Sequence, residues 1–297
     1  MYQFLSFIIG VVIAVMISVN GTLSGCYDTF RSAVIIHVVG VIFATILYCL
    51  KKEKKPLLRQ GPLWIYLGGA LGFLTTVFNN FSFEYISMTS IVALGLFGQM
   101  LTSAFVDSLG LLGMEKYPFR KSSLLGFCFA LIGVASMLDF SISSSLLAVL
   151  LSIGGGITVV LSRTVNARLS EKTGALGGSL INHLVGLPIT ILFALLFVPR
   201  SQMLVVNPTP LWAYFGGMLG VTTVLLFNIV VPKISALNLS ILSFIGQLFT
   251  GILLDVLAGN DFSNATFTGG IIISIGMLLN FILDAFHSKK TSNRRLP

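Results

Sequence analysis

The sequence predicts an all-α polytopic membrane protein with ten transmembrane helices in an inverted 5+5 repeat. The composition is the first reason: 55% of the 297 residues are hydrophobic and 9% are charged, whereas soluble domains carry about 25% charged residues. The mean hydropathy is +0.97. Apolar runs long enough to cross a bilayer recur along the chain, and polar residues recur at matching positions in its two halves.

The apolar runs define ten predicted spans, since a membrane helix needs about 20 mostly apolar residues. They lie near residues 4–24, 32–50, 62–82, 86–112, 121–140, 144–165, 175–198, 211–231, 235–258 and 267–286. No basic segment precedes the first run, so we expect it to be retained as a helix rather than cleaved as a signal peptide.

The basic residues predict the orientation. With a cytoplasmic N-terminus, all of the 18 lysines and arginines except Arg31 and Arg200 fall on the cytoplasmic side. The positive-inside rule then predicts a multi-pass protein of the cytoplasmic (inner) membrane, with both termini in the cytoplasm. The net charge of +8 is explained in this way, and nucleic acid is not expected as a partner.

Polar and glycine positions recur in the two halves. In the first half, Asn20 is followed by His37 and Gly40. In the second half, Asn166 is followed by His183 and Gly186 at identical spacing. At a second constant offset, Trp64, Gly68, Gly69, Gly72, Thr75, Asn80, Gly98, Gln99, Thr102 and Asp107 match Trp212, Gly216, Gly217, Gly220, Thr223, Asn228, Gly246, Gln247, Thr250 and Asp255. Because each half has an odd number of spans, the second half is expected to be inverted. The predicted repeats are residues 1–142 and residues 143–297, the latter ending in a short basic cytoplasmic tail.

These segments resemble the YdcZ-like branch of the drug/metabolite transporter superfamily. The resemblance lies in Gly98-Gln99-Met-Leu-Thr102, in Asp107-Ser-Leu-Gly110-Leu-Leu-Gly113 with the basic loop and Gly126-containing helix that follow, in Asn20-Gly-Thr-Leu and in Trp64…Gly72. It covers essentially the whole chain as two fused copies of one unit. It implies a ten-helix, EamA-like fold and transport of a small solute, with export favoured. The second copy departs at Asp255-Val-Leu-Ala-Gly259, which has one extra residue before its glycine.

Polar side chains at membrane depth are functional candidates, because they are costly there. At about 1.5 Å per residue, Gln99 lies roughly 18 Å into a hydrocarbon core of about 30 Å, and Gln247 lies equally deep from the opposite face. The two amides are predicted to bind a polar solute; the alternative is a helix-packing hydrogen bond of about 0.6 kcal/mol. Phenylalanines beside the polar positions are candidates for a cage around a cationic or aromatic solute. The predicted substrate-binding residues are Gln99, Gln247, Asn80, Asn228, Phe78 and Phe97.

The inverted topology suggests two gate networks. One joins Asp107 at the inner face with His183, Asn166, Asn228 and Arg163, and the other joins Asp255 at the outer face with His37, Asn20, Asn80 and Arg31. The gating or proton-coupling candidates are therefore Asp107, Asp255, His37, His183, Asn20 and Asn166. The alternatives are that the aspartates only end their helices, and that the histidines are packing residues rather than proton carriers titrating at about pH 6.5.

The expected function is secondary active transport of a small polar or cationic metabolite by alternating access, with export ahead of import. A passive channel or facilitator is the alternative, as is an uptake carrier for a vitamin or a nucleobase-like metabolite. The sequence holds no Walker motif, no metal-ligand spacing and no nucleophile–base set, so no enzyme activity, catalytic residue, metal or cofactor is predicted. The expected partners are the substrate, the lipid bilayer and a coupling proton or ion, in a monomer or a homodimer.

Overall fold

The computed structural model of the protein describes residues 1–59, 61–83, 85–86, 88–117, 121–138, 145–257, 259 and 264–293. The α-helices of these residues are α1 (Tyr2–Cys26), α2 (Thr29–Leu50), α3 (Gly68–Phe83), α4 (Met88–Leu109), α5 (Lys121–Met137), α6 (Leu146–Thr173), α7 (Ala175–Phe197), α8 (Gly216–Val230), α9 (Ala236–Leu257) and α10 (Asn264–Asn293). The 3-10 helices Leu63–Tyr66 and Leu211–Phe215 lead into α3 and α8.

The predicted helical membrane fold is confirmed, although its number of spans is not. Within the described residues, seven helical segments are long and apolar enough to cross a membrane: Tyr2–Cys26, Thr29–Leu50, Ser90–Leu109, Leu146–Thr173, Ala175–Phe197, Leu211–Lys233 and Ala236–Leu254. The helix α3 has 16 residues, and the apolar parts of α5 and α10 are the shorter segments Leu124–Met137 and Asn264–Leu279. Ten crossings remain a prediction.

Helix boundaries follow from local hydrogen bonding. Asp28 caps α2 by accepting hydrogen bonds from the backbone N–H groups of Phe30 and Arg31, each at 2.9 Å. Such a cap satisfies donors that have no partner inside the helix. The helix α6 continues to Thr173, past the predicted end near residue 165, and stops at Gly174, whose φ of +80° favours glycine.

The helices pack mainly across the two halves. The helix α1 lies against α8 and α9, whereas α6 lies against α3 and α4 in the equivalent arrangement; α2 packs on α7, and α5 packs on α10. The closest crossings occur at glycines in matching positions. Gly10 lies against the backbone of Ser243, and Gly156 lies against the backbone of Gly95. A side chain at either glycine would collide with the facing helix.

The largest apolar core lies between α4, α5, α9 and α10. Its fully buried members include Met100 in α4, Met137 in α5, Ile241 in α9 and Ile273 in α10. This core holds α4 and α9 side by side in the middle of the protein, and their opposite sides are left to face α1, α3, α6 and α8. The polar site lies on that second side.

Candidate functional site

A cavity of about 470 Å³ lies between α1, α3, α4, α6, α8 and α9. By their matching sequence positions these six helices form three pairs: α1 with α6, α3 with α8 and α4 with α9. The described lining is largely apolar, with polar groups contributed by Asn20, Thr75, Thr76, Asn79, Gln99, Ser162, Arg163, Asn166, Thr223, Ser243 and Gln247. A mostly apolar wall with a few convergent polar groups is typical of small-molecule sites.

Gln99 and Gln247 both line this cavity. Each lies near the middle of its helix, and each is partly buried. Within the described part of the chain, neither amide forms a side-chain hydrogen bond. Both amides are therefore free to bind a ligand, as expected of a predicted substrate-binding pair.

Asn20 and Asn166 also line the cavity, and each packs on a glycine of the other half. The Asn20 side chain lies against Gly216 at the start of α8, and Asn166 lies against Gly68 at the start of α3. The amide of Asn166 donates to Oδ1 of Asn182 at 2.8 Å. Oδ1 of Asn20 is buried and has no hydrogen-bond partner among the described residues.

Arg163 is the charged residue of the described lining. It is only 3% exposed, and Nη2 donates to the hydroxyl oxygens of Ser103 and Ser240 at 3.2 and 2.5 Å and to the carbonyl oxygen of Ala236 at 3.2 Å. The Phe227 ring covers the guanidinium, with 5.6 Å between Cζ and the ring centroid. Nε and Nη1 are buried and form no hydrogen bond with the described chain.

Asp107 does not form the predicted inner gate network. Its two carboxylate oxygens accept hydrogen bonds from the backbone N–H groups of Ala236 and Leu237, at 2.7 and 2.9 Å. It therefore caps α9, a helix of the other half, instead of ending only its own helix. Arg163 holds the carbonyl oxygen of the same Ala236, but no ion pair within 4 Å joins it to Asp107 among the described residues.

The prediction that His37 and His183 lie toward opposite faces is wrong, because the two rings meet. Their centroids are 5.8 Å apart. The His37 ring rests on Gly186, and the His183 ring rests on Gly40, so a methyl group at either glycine would overlap the facing imidazole. Each histidine lies about two turns into its helix, and the close packing of α2 on α7 brings the two side chains together.

The hydrogen bonds of the pair determine the histidine tautomers. Nδ1 of His37 contacts the carbonyl oxygen of Ala33 at 2.9 Å, and Nδ1 of His183 contacts that of Ser179 at 2.9 Å. A carbonyl oxygen only accepts hydrogen bonds, so Nδ1 carries the proton in both rings. Nε2 is then the atom of each ring that can take a further proton.

Other predicted site residues lie away from the cavity. Asn228 donates to the carbonyl oxygen of Ala175 at 2.9 Å, Phe78 packs on Gly154, and Phe97 packs against the core between α4, α5, α9 and α10. None of these three belongs to the described lining.

The predicted outer network falls partly outside the described residues. Arg31 pairs with Asp28, with 2.5 Å between Nε and Oδ2, so its carboxylate partner is the neighbouring helix cap. The side chains of Asn80 and Asp255 lie outside the described part of the chain.

From the sequence, Arg163 was assigned to the cytoplasmic charges and to the inner gate network rather than to the cavity wall, and Asn79 was not identified as a lining residue. Two signals in the repeat could have found them. Arg163 stands three residues before Asn166, where the other half has Ile17 before Asn20. Asn79 and Phe227 likewise occupy equivalent positions. Differences between otherwise matching halves mark positions where packing symmetry does not explain the residue.

Comparison of the sequence with known families identifies one family. A family model described as "Putative inner membrane exporter, YdcZ" matches residues 1–136 and 147–279, consistent with two fused copies. A solved structure described only as "Crystal structure of protein" has a TM-score of 0.70 over 95% of this chain and 96% of its own, at 14% identity. That likeness concerns the fold alone. No curated protein matched the sequence.

The family match covers both halves, and both contribute helices to the cavity. It agrees with an all-helical membrane protein whose described helices are apolar enough to cross a bilayer, and it describes a transporter rather than an enzyme. The chain therefore belongs to the YdcZ family of inner membrane exporters.

Proposed function

We propose that this protein is a secondary active transporter that exports a small polar metabolite across the cytoplasmic membrane. The observation that carries the proposal is the cavity of about 470 Å³, lined by Gln99 and Gln247 from equivalent helices. Its volume lies within the range of about 300–1,000 Å³ that is common for small-molecule sites. The family description supports export over import.

The two halves, residues 1–142 and 143–297, would act as inverted repeats that rock around this cavity. Paired contacts between the halves support the inversion. The Asn20 side chain packs against Gly216 as the Asn166 side chain packs against Gly68. In the same way, the His37 ring packs against Gly186 and the His183 ring packs against Gly40. Two packings of nearly equal energy are what alternating access between inverted repeats requires. The distribution of basic residues supports ten crossings with both termini in the cytoplasm.

Asp107 is the proposed gate residue. Its bonds to the N-terminus of α9 join the end of α4 to the other half, so opening this end would break them. By position in the repeat, Asp255 and Met88 correspond to Asp107 and Ala236. We propose that Asp255 is the corresponding gate residue of the other half.

The paired histidines are the proposed proton site. The contact of the two rings supports this role, since a proton on Nε2 of one ring changes its interaction with the other. His183 also lies beside Gly220 of α8, which belongs to a helix of the cavity wall. Protonation would therefore act close to the solute.

The described lining does not favour a cationic solute. It contains Arg163 and no acidic residue, and a cation would be repelled by the guanidinium in a medium of low dielectric constant. The solute is accordingly proposed to be neutral and polar or anionic. A passive channel or an uptake carrier remains the competing function.

Export is tested by comparing the metabolites that cells release. Cells producing the protein are compared with cells producing Gln99→Leu/Gln247→Leu, which removes both amides at nearly constant volume, and with Gln3→Leu, an exposed control. We expect the medium of the wild type and of the control to be enriched in one solute, and that of the double variant to lack it.

The enriched solute is then used in counterflow with proteoliposomes. Accelerated exchange indicates a carrier. Non-saturating flux without counterflow would show a channel, and accumulation of the solute inside the cells would show uptake; either result contradicts the proposal.

A further inference from the structure

Resting on the proposed function, we infer that the transported solute carries an oxyanion, a carboxylate or a phosphate, that binds the guanidinium of Arg163. Four features of Arg163 support this assignment: its burial, its unused donors, its position in the cavity wall and its absence from the equivalent site.

The burial of Arg163 is costly unless its charge is balanced. A cation at this depth loses its hydration, and buried arginines are normally paired with a carboxylate or a phosphate. Arg163 is 3% exposed and has no carboxylate within 4 Å among the described residues. The charge of Asp107 partly compensates that of the guanidinium, but both of its oxygens accept backbone N–H groups of α9, so it occupies none of the unused donors of Arg163.

The donors of Arg163 are only partly used. Nη2 donates the hydrogen bonds to Ser103, Ser240 and Ala236. Nε and Nη1 have no hydrogen-bond partner in the described chain. Nε and Nη1 donate from different edges of the planar guanidinium, so each can give a single charge-assisted hydrogen bond to a carboxylate or phosphate oxygen. The Phe227 ring stabilises the cation through its face, which leaves the edge of the guanidinium for such bonds.

The rest of the wall supplies neutral polar groups. Gln99, Gln247 and Asn20 offer amide donors and acceptors around the same cavity, suited to hydroxyl, keto or ring-nitrogen groups. The described lining offers no carboxylate for an ammonium group. A small organic anion therefore fits this wall better than an amine.

The repeat shows that a packing role alone does not account for Arg163. The equivalent residue is Ile17, which also lines the cavity, so this position accepts an uncharged side chain in the other half. A neutral donor would satisfy the contacts that Nη2 makes to α9. The additional charge and the unused donors Nε and Nη1 are what an anionic ligand would use.

Matched pairs of ligands test the inference on the purified full-length protein in detergent. Thermal stability and direct binding are measured with benzoate and benzamide, nicotinate and nicotinamide, succinate and succinamide, glycerol 3-phosphate and glycerol, and with benzylamine as a cation. Ligands that bind the folded state raise its Tm. We expect at least one oxyanion to stabilise the wild type, with its neutral partner and benzylamine binding at least about tenfold more weakly.

Two variants at Arg163 and one control locate the effect. Arg163→Lys keeps the charge but loses the separate Nε and Nη1 donors of the guanidinium, and a Kd at least about tenfold higher for the oxyanion is expected. Arg163→Gln should abolish the preference for the oxyanion over its neutral partner. Arg168→Gln removes an arginine of the same helix that pairs with Glu171 at 2.6 Å, and it should bind as the wild type does. Retention of the wild-type preference in Arg163→Gln would overturn the inference.

The wild-type data decide the matter even if the Arg163 variants do not fold. Binding of neutral or cationic members with no oxyanion preference, or binding of no oxyanion at all, overturns the inference. Export of a neutral solute would do the same while leaving the proposed transport intact. Oxyanion binding by a protein that shows no transport would contradict only the proposed function.

Discussion

At the residue scale, the histidine pair shows how the two halves interlock. Each imidazole occupies the space left by a glycine three residues after the other histidine, so His37 fits Gly186 and His183 fits Gly40. Each ring also donates from Nδ1 to a carbonyl oxygen one turn earlier in its own helix. These contacts fix both rings in position and leave their Nε2 atoms near the interface between α2 and α7.

This arrangement leads to a prediction about coupling. In His37→Gln and in His183→Gln, solute transport driven by an imposed pH gradient should fall to near the background, because each variant removes one of the two imidazoles that form the proposed proton site. Counterflow, which needs no gradient, should continue and serves as the internal control. If both variants keep gradient-driven transport with an unchanged pH dependence, the histidines are packing residues and the proton proposal is wrong.

At the element scale, α4, α6 and α9 are joined by a polar clamp, which we define as Ser103, Asp107, Arg163 and Ser240. The hydroxyls of Ser103 and Ser240 lie 2.8 Å apart, and Asp107 and Arg163 hold the N–H and the carbonyl group of Ala236. At the equivalent positions in the other half, Ser103, Ser240 and Arg163 are replaced by Gly251, Val92 and Ile17. The other half therefore lacks the polar residues that form this clamp at three of its four positions.

Removing the Asp107 cap should affect both stability and transport. Asp107→Ala is expected to lose about 1–2 kcal/mol of stability, as other capping residues do, because two N–H groups of α9 lose their acceptor. Transport should fall as well, since the cap joins helices of different halves. Asp107→Asn keeps one oxygen acceptor and should show a smaller loss of both.

Asp28→Ala is the matched control for this prediction. Asp28 also caps a helix with its carboxylate, but that helix is α2, immediately after it in sequence. We expect this variant to lose stability while its transport per folded molecule stays unchanged. A wild-type Tm and transport rate in Asp107→Ala would show that the clamp has no role in gating.

At the scale of the whole molecule, the fold depends on contacts between the halves. The helices of the cavity wall come equally from both halves, and α2 packs on α7 as α5 packs on α10. The glycines and asparagines on the inner faces of each half are therefore buried by helices of the other half. This is why a cavity with equivalent walls can arise from two copies of one unit.

Labelling of cysteines tests the inversion directly. The loop after α2 and the loop after α7 are equivalent in the repeat, and Lys54 and Ser201 are exposed in them. In a variant without Cys26, Cys49 and Cys128, we expect Ser201→Cys to react with an impermeant maleimide in intact cells. Lys54→Cys should react only after permeabilisation. Reaction of both from the same side would contradict inverted repeats.

The sequence predicted the positions of Gln99 and Gln247 along their helices because depth along a helix can be counted, and their role in binding stays a prediction. Gln99 and Gln247 were placed in the middle of their helices, and both line the cavity. The partners of Asp107 and of the histidines were predicted wrongly, because counting gives the height of a side chain and not the direction in which it points or the helix that it meets. Phe78 and Phe97 failed as lining residues for the same reason.

The sequence by itself determined that this chain forms apolar helices in a bilayer and that polar residues recur at matching positions in its two halves. Lipid offers no hydrogen bonds to the backbone, so long apolar runs have to be helical, and matching polar positions reveal the repeat. Only the tertiary structure decided that the halves interlock, that the two histidines meet and that Arg163 enters the cavity wall. Those facts depend on which helices cross closely, and glycines allow these crossings through contacts between residues far apart in the sequence.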